Sequence, residues 1–166
     1  MAETSLGRFS AAERLNSMAV DLITVTPDCD PSGTGDNHVL FDYIEIPNAV
    51  AVTGGSAIIQ SIAIIDDDNQ GTSLDLVFQT DSTSLGTKDA AVSIDSGNED
   101  DILGFVSVSN YFDGINFQVA TKTNIGLVVK AASDTRSIFI AGVNRNGGSV
   151  THTASGLKIK IGIVKD

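Results

Sequence analysis

The stretch GLKIKIGIV (156–164) decides the fold class. Leu157, Ile159, Ile161 and Ile163 alternate with Lys158 and Lys160. In an extended chain successive side chains point to opposite faces, so this run puts four aliphatic groups on one side and two ammonium groups on the other. A helix would scatter the same residues around its circumference. The stretch is a strand with one face in a core and one in water.

Working outward, the same logic marks a series of strands. LITVT (22–26) is short and β-branched, and VLFDYIEI (39–46) is closed by Pro47-Asn48. AIIQSIAII (57–65) is apolar on both faces, which suits a central strand. In LDLVFQ (74–79), Leu74, Leu76 and Phe78 share a face; ILGFVSVS (102–109), IGLVVKA (125–131) and SIFIAGV (137–143) follow. Turn-forming runs separate them: SGTGDN (32–37), TGG (53–55), DDDNQG (66–71), SGNEDD (96–101), DG (113–114) and NRNGG (144–148). No helical crossover lies between them. The expectation is an all-β, antiparallel β-sandwich or jelly-roll-like single domain over residues 21–166. Before it, residues 1–20 read as an N-terminal arm. Ser10 and Glu13 form a capping box there, which predicts a short helix that must pack on something to persist.

Composition removes several functions. The chain of 166 residues is one domain in size and carries a formal net charge of −11. That balance opposes binding to DNA or RNA and electrostatic docking on an anionic membrane. Cys29 is the one cysteine, so an internal disulfide and a four-cysteine zinc site are excluded. With no signal-peptide pattern and no long apolar run, the expectation is synthesis in a reducing cytoplasm and no membrane span. Charge is uneven along the chain: residues 1–101 balance to −15 and residues 102–166 to +4. Either acidic loops crowd the first part, or the molecule is polarised and meets a partner with one end.

Catalytic motifs are missing. No G-x-S-x-G, P-loop or dinucleotide fingerprint occurs, and the two histidines are His38 and His152. Cys29 lies between Asp28 and Asp30, whose charges suppress a thiolate. A glycosidase would pair its carboxylates with aromatic platforms, and only Tyr43, Tyr111 and seven Phe are on offer. No enzyme activity and no cofactor are expected. The best constellation is Asp66-Asp67-Asp68-Asn69-Gln70-Gly71, which echoes the start of a calcium loop, with Asp66, Asp68 and Gln70 as the candidate ligands. The echo fails at the twelfth position, where Val77 stands in place of a bidentate Glu. The run is either a solvated hairpin loop or a weak Ca²⁺ site joined in space by Glu99, Asp100 and Asp101.

LFDYIEIPNAV (40–50), GGSAIIQSIAIIDDDNQG (54–71), SLGT (84–87), ATKTNIGLVVKA (120–131), SIFIAGVNR (137–145) and TASGLKIKIGI (153–163) resemble small β-rich virion proteins of tailed phages of aquatic bacteria, the head decoration or cement proteins. The resemblance covers about residues 21–166. It implies a non-enzymatic protein on the outer surface of the capsid, bridging major capsid protein subunits, with a homotrimer seated at a local three-fold position. Met18-Ala-Val-Asp-Leu-Ile-Thr-Val resembles the start of such proteins, so residues 1–17 are an addition to the pattern. In the arm, Leu6, Phe9, Leu15 and Met18 offer apolar anchors and Arg8 and Arg14 offer charge for capsid or subunit contact. Other readings of the same chain are a tail tube, knob or fibre module, or a β-sandwich module that binds glycan or Ca²⁺.

Overall fold

The alternation of GLKIKIGIV is realised in strand β9 (Leu157–Lys165), where Leu157, Ile159, Ile161 and Ile163 are all fully buried. Each such side chain contributes about 2 kcal/mol of apolar burial. A computed structural model describes residues 19–165 of the chain. Ahead of β9 come β1 (Ala19–Val25), β2 (Val39–Ile46), β3 (Ser56–Asp66), β4 (Leu74–Gln79), β5 (Ile102–Val108), β6 (Tyr111–Asp113), β7 (Gln118–Lys130) and β8 (Ile138–Asn144). One 3-10 turn, Glu99–Asp101, is the sole helical element among the described residues. The expected helix around Ser10 and Glu13 lies outside them.

All pairings are antiparallel and fall into two sheets, ordered β1-β9-β3-β7-β6 and β2-β8-β4-β5. The pairs β1·β9, β2·β8, β3·β7 and β4·β5 are those of one long two-stranded ribbon folded back on itself and then rolled, with β6 as a short addition. Rolling puts the two sheets face to face. Ile59, Ile62, Ile64, Ile159, Ile161 and Ile163 of the first pack against Phe41, Ile46, Leu76, Phe78, Ile138 and Ile140 of the second in one cluster. The ends of the sandwich are then loop clusters. The loops 26–38, 67–73 and 145–156 meet at one end with the residues around β6; residues 47–55 and 131–137 lie at the other, and 80–101 leaves from that far end, runs along the outer face of the second sheet to the 26–38 loop and returns.

AIIQSIAII does form the centre of its sheet, between β9 and β7. It is apolar on both faces for a further reason. A register shift between Ile59 and Ser61 switches the inward positions from odd to even, so Ala57 and Ile59 are followed inward by Ile62 and Ile64. Gly162 faces the bulge, and a Cβ there would lie 2.3 Å from the Ser61 hydroxyl. Two elements escaped the sequence reading: β6, and the first half of β7. From Gln118 to Asn124 only Ala120 is buried, so the polar run QVATKTN carries little hydrophobic pattern although all of it but Asn124 pairs with β3.

The residues after β4 do not simply loop out. Leu85 tucks under the outer face of the second sheet against Val39, Ala141 and Val143. Asp42 fastens it by accepting the Leu85 N–H at 3.0 Å and the Ser84 hydroxyl at 2.7 Å.

Candidate functional site

Of the candidate ligands of the DDDNQG turn, the fold keeps Asp66 and Asp68 together and turns Gln70 away. Asp66 is the last inward position of β3, so the strand carries a carboxylate into the interior, where it is 0% exposed. The turn folds back to satisfy it. Asp68 N–H donates to one oxygen at 3.0 Å, and the N–H groups of Gln70 and Gly71 donate to the other at 2.9 and 2.7 Å. Asn69 and Gly71 take the left-handed conformation that this wrap requires. Asp68 points the same way and accepts the Thr153 N–H at 2.7 Å. Gln70 stays exposed, its side-chain amide donating to the Asp68 carbonyl. Glu99, Asp100 and Asp101 sit at the opposite end of the sandwich, because β4 and β5 pair with Gln79 beside Ile102. They do not join Asp66.

The group that does join is His152, which the polar run SVTHTAS gave no reason to single out. The 145–156 loop folds it under the end of β3, 0% exposed. Its Nε2 lies 2.8 Å from the Thr72 hydroxyl. Its Nδ1 has no hydrogen-bond partner and stands 3.6 Å from both Asp66 Oδ1 and Asp68 Oδ2. Burial pulls this imidazole below the ordinary histidine range, against the opposing pull of Asp66 and Asp68. The two loops are zipped around it: Asp67 N–H donates to the Gly156 carbonyl at 2.8 Å, Lys158 pairs with Asp67, and Tyr111 donates its hydroxyl to the Thr72 carbonyl at 2.8 Å. A Cβ on Gly156 would lie 1.6 Å from Asp68 Oδ2, so a side chain there would push that carboxylate from its place.

Thr72, His152 and Asp66 stand in the contact order of nucleophile, base and orienting acid. All three are 0% exposed, so no substrate carbonyl reaches the hydroxyl. Cys29 is equally shut in, and burial, with help from Asp28, pushes its thiol up to about 12. His38 is the accessible histidine; its Nδ1 lies 3.0 Å from Asp89, tying the 80–101 segment to the 26–38 loop.

The charge imbalance between the chain halves does not become a division between ends. Arg145, Lys158 and Lys165 from the second half pair with Asp75, Asp67 and Asp21 from the first. A different segregation emerges from the register. Across the outer face of the first sheet, Val20 lies opposite Val164, Val164 opposite Ile58, and Ile58 opposite Val128. Nearer the other end, Ile65, Val119 and Phe112 form a second apolar row beside Lys158. Val20, Leu22, Phe112 and Val128 are 74%, 66%, 71% and 63% exposed. The outward positions of β1, β3, β7 and β9 include Lys130, Lys158 and Lys160 and no carboxylate. In a chain with a net charge of −11, this face is apolar and basic.

The arm residues Leu6, Arg8, Phe9, Arg14, Leu15 and Met18 lie outside the described residues. The chain emerges from them into β1, at the edge of that same face.

No family model and no curated protein matches this chain. Among solved structures, a chain of Desmodium yellow mottle tymovirus is 12% identical over 90% of this chain and 87% of that one, with a TM-score of 0.30. The infectious bursal disease virus VP2 subviral particle is 14% identical over 90% of this chain and 41% of that one, with a TM-score of 0.19. The Gx strain of the same virus is 16% identical over 89% and 40%, also with a TM-score of 0.19. Similarity at these scores does not bear on function.

Proposed function

We propose that this chain is a structural virion protein of a tailed phage, seated on the outer surface of the head and bridging major capsid protein subunits. It uses no catalytic group and no cofactor. The observation that carries the reading is the acid-free outer face of the first sheet, with its exposed rows of Val20, Val164, Ile58 and Val128 and of Ile65, Val119 and Phe112. An uncovered apolar sheet face marks an interaction surface. Its partner is a capsid patch that is apolar and flanked by carboxylates, which complement Lys130 and Lys160. The arm leaves from the edge of this face, so Leu6, Phe9, Leu15, Met18, Arg8 and Arg14 extend the same contact onto a neighbouring subunit.

Other features agree with this role. The strand order is that of a jelly roll, an arrangement that serves many functions, capsid architecture among them. The resemblance of residues 21–166 to head decoration proteins points the same way. Most carboxylates stand on loops and on the second sheet, so a copy seated on its basic face turns its acids outward, where crowded copies repel and keep particles apart. Three copies around a local three-fold position give multivalent seating, and binding to the assembled lattice alone shifts stability toward the lattice.

The test is a pair of measurements on virions. Particles stripped of the protein release DNA at a lower temperature than intact ones, and adding back the wild-type chain restores the difference. The Leu22→Glu and Val128→Glu variants fold but bind stripped heads at least about tenfold more weakly, since a carboxylate is placed in a buried apolar contact. Equal release from stripped and intact particles, or unimpaired binding by both variants, refutes the proposal. A copy number of a few per virion moves the protein to the tail.

A further inference from the structure

The geometry points to a transition-metal site, of the class zinc occupies, formed by Asp66, Asp68 and His152 at the end of the sandwich where the β3–β4 turn meets the 145–156 loop. Three observations lead there. The first is the orphaned imidazole nitrogen: His152 Nδ1 is buried, lacks a hydrogen-bond partner and is aimed between two carboxylates. A buried polar atom without a partner is destabilising, so such atoms are rare unless something fills the gap.

The second is distance. At 3.6 Å, Nδ1 is too far from Asp66 Oδ1 and Asp68 Oδ2 for a hydrogen bond to either. Two donors that share one zinc ion, each about 2.1 Å from it, stand about 3.4–3.6 Å apart. All three donor atoms lie within 4.8 Å of one another.

The third is support behind each ligand. Asp66 is held by three backbone N–H groups, and Asp68 by the Thr153 N–H and hydroxyl. His152 Nε2 meets the Thr72 hydroxyl at 2.8 Å, which accepts the ring proton when Nδ1 turns its lone pair to a metal. Orienting contacts of this kind surround real metal centres. Asp68, with its side chain 19% exposed, opens the entry path.

The donor set selects the metal. Calcium needs six to eight oxygens, and this site presents two carboxylates, one of which already spends an oxygen on Gln70 and Gly71. Imidazole with carboxylate suits zinc and its neighbours. The ion ties the β3–β4 turn to the 145–156 loop, and the site is independent of the virion role proposed above.

The experiment titrates zinc chloride into the chelator-treated full-length protein against a chromophoric competitor, with calcium chloride in parallel, and records the visible spectrum of the cobalt form. The expected result is one zinc per chain, a raised melting temperature, and cobalt bands that the His38→Ala variant retains. Asp68→Asn and His152→Gln lower the affinity at least about tenfold and abolish the bands. Asp68 is partly exposed, so Asp68→Asn decides the matter if His152→Gln fails to fold. No zinc bound by the folded wild type at millimolar concentration, calcium bound in preference, or an affinity untouched by Asp68→Asn overturns the proposal.

Discussion

Gly142 and Phe41 make a strong prediction about why the second sheet closes. They are opposite each other in the β2·β8 pair, at a point where β2 shifts register on both sides of Phe41. The Phe41 ring is folded over the Gly142 backbone. A Cβ at Gly142 would lie 2.2, 2.6 and 2.8 Å from three atoms of that ring. Carbon atoms rest at about 3.5 Å or more, so the ring edge has to retreat by about 1.3 Å. Phe41 is 1% exposed and has nowhere open to go. Gly142→Ala therefore costs about 3 kcal/mol through overpacking, which lowers the melting temperature of a chain this long by about 6–12 °C. Phe41→Leu alone removes ring atoms and costs about 2 kcal/mol. In the double variant the shorter side chain leaves room for the new methyl, so the two costs do not add; the total is about 2 kcal/mol smaller than their sum. Urea denaturation followed by far-ultraviolet circular dichroism measures all four corners of the cycle, with an unchanged m-value as the check on two-state behaviour. Simple additivity, or a Gly142→Ala cost below about 0.5 kcal/mol, refutes the steric argument.

Two further predictions concern side chains with shifted ionisation. The Cys29 thiol, buried and pushed up to about 12, resists iodoacetamide in the native protein at about pH 8 and reacts at once in denaturant; full native labelling within minutes contradicts its burial. Asp89 accepts the Gly35 N–H at 2.8 Å and faces His38, and these contacts hold its carboxyl below the usual carboxylate range. A lowered folded value means the stabilisation is present above the ordinary aspartate value and is lost as pH falls through the lowered one. Asp89→Asn thus melts below wild type at about pH 6, and the gap closes towards about pH 2; a gap that stays constant across that range disproves the linkage.

How legible each part was follows from how local its cause is. β2 and β4 span the expected residues, 39–46 and 74–79, because an alternating or β-branched run bounded by turn residues needs no distant partner to be recognised. The front of β7 holds its place through pairing with β3, and β6 through pairing with β7; of these residues only Ala120 is buried, so hydrophobic pattern says little about them. The cluster of Asp66, Asp68 and His152 shows the same division. The Asp66 and Asp68 carboxylates were visible as a loop motif, whereas His152 reaches them from a segment 84 residues beyond Asp68. Nothing in SVTHTAS shows that its histidine is buried. The pairing of Val150 with Thr34 anchors that loop, and this contact exists only in the folded chain. Gln70 stands apart from that cluster for the converse reason. Its backbone was needed to wrap Asp66, which left its side chain facing out.

Charge shows most clearly what folding adds. Along the sequence the acids crowd into residues 1–101, which admits either acidic loops in the first part or a division between two ends of the molecule. Antiparallel rolling works against that division, because it places β9 between β1 and β3 and so sets the late lysines among the early strands. Alternation does the sorting instead. Within β9 the isoleucines take the inner face, which leaves Lys158, Lys160 and Val164 outside. The bulge at Ile59–Ser61 keeps Ile58 and Ile65 on that same outer face in spite of their opposite parity. Without that one-residue shift, either Ile58 or Ile65 would turn into the core, and one of the two apolar rows would lose its centre. The bulge therefore shapes the outer face as much as the core. Deleting Gln60 would bring Ser61 next to Ile59 and leave the facing of both halves unchanged, whereas inserting one residue beside Gln60 in a straightened strand would reverse the facing of every residue on one side of it and destroy the core register.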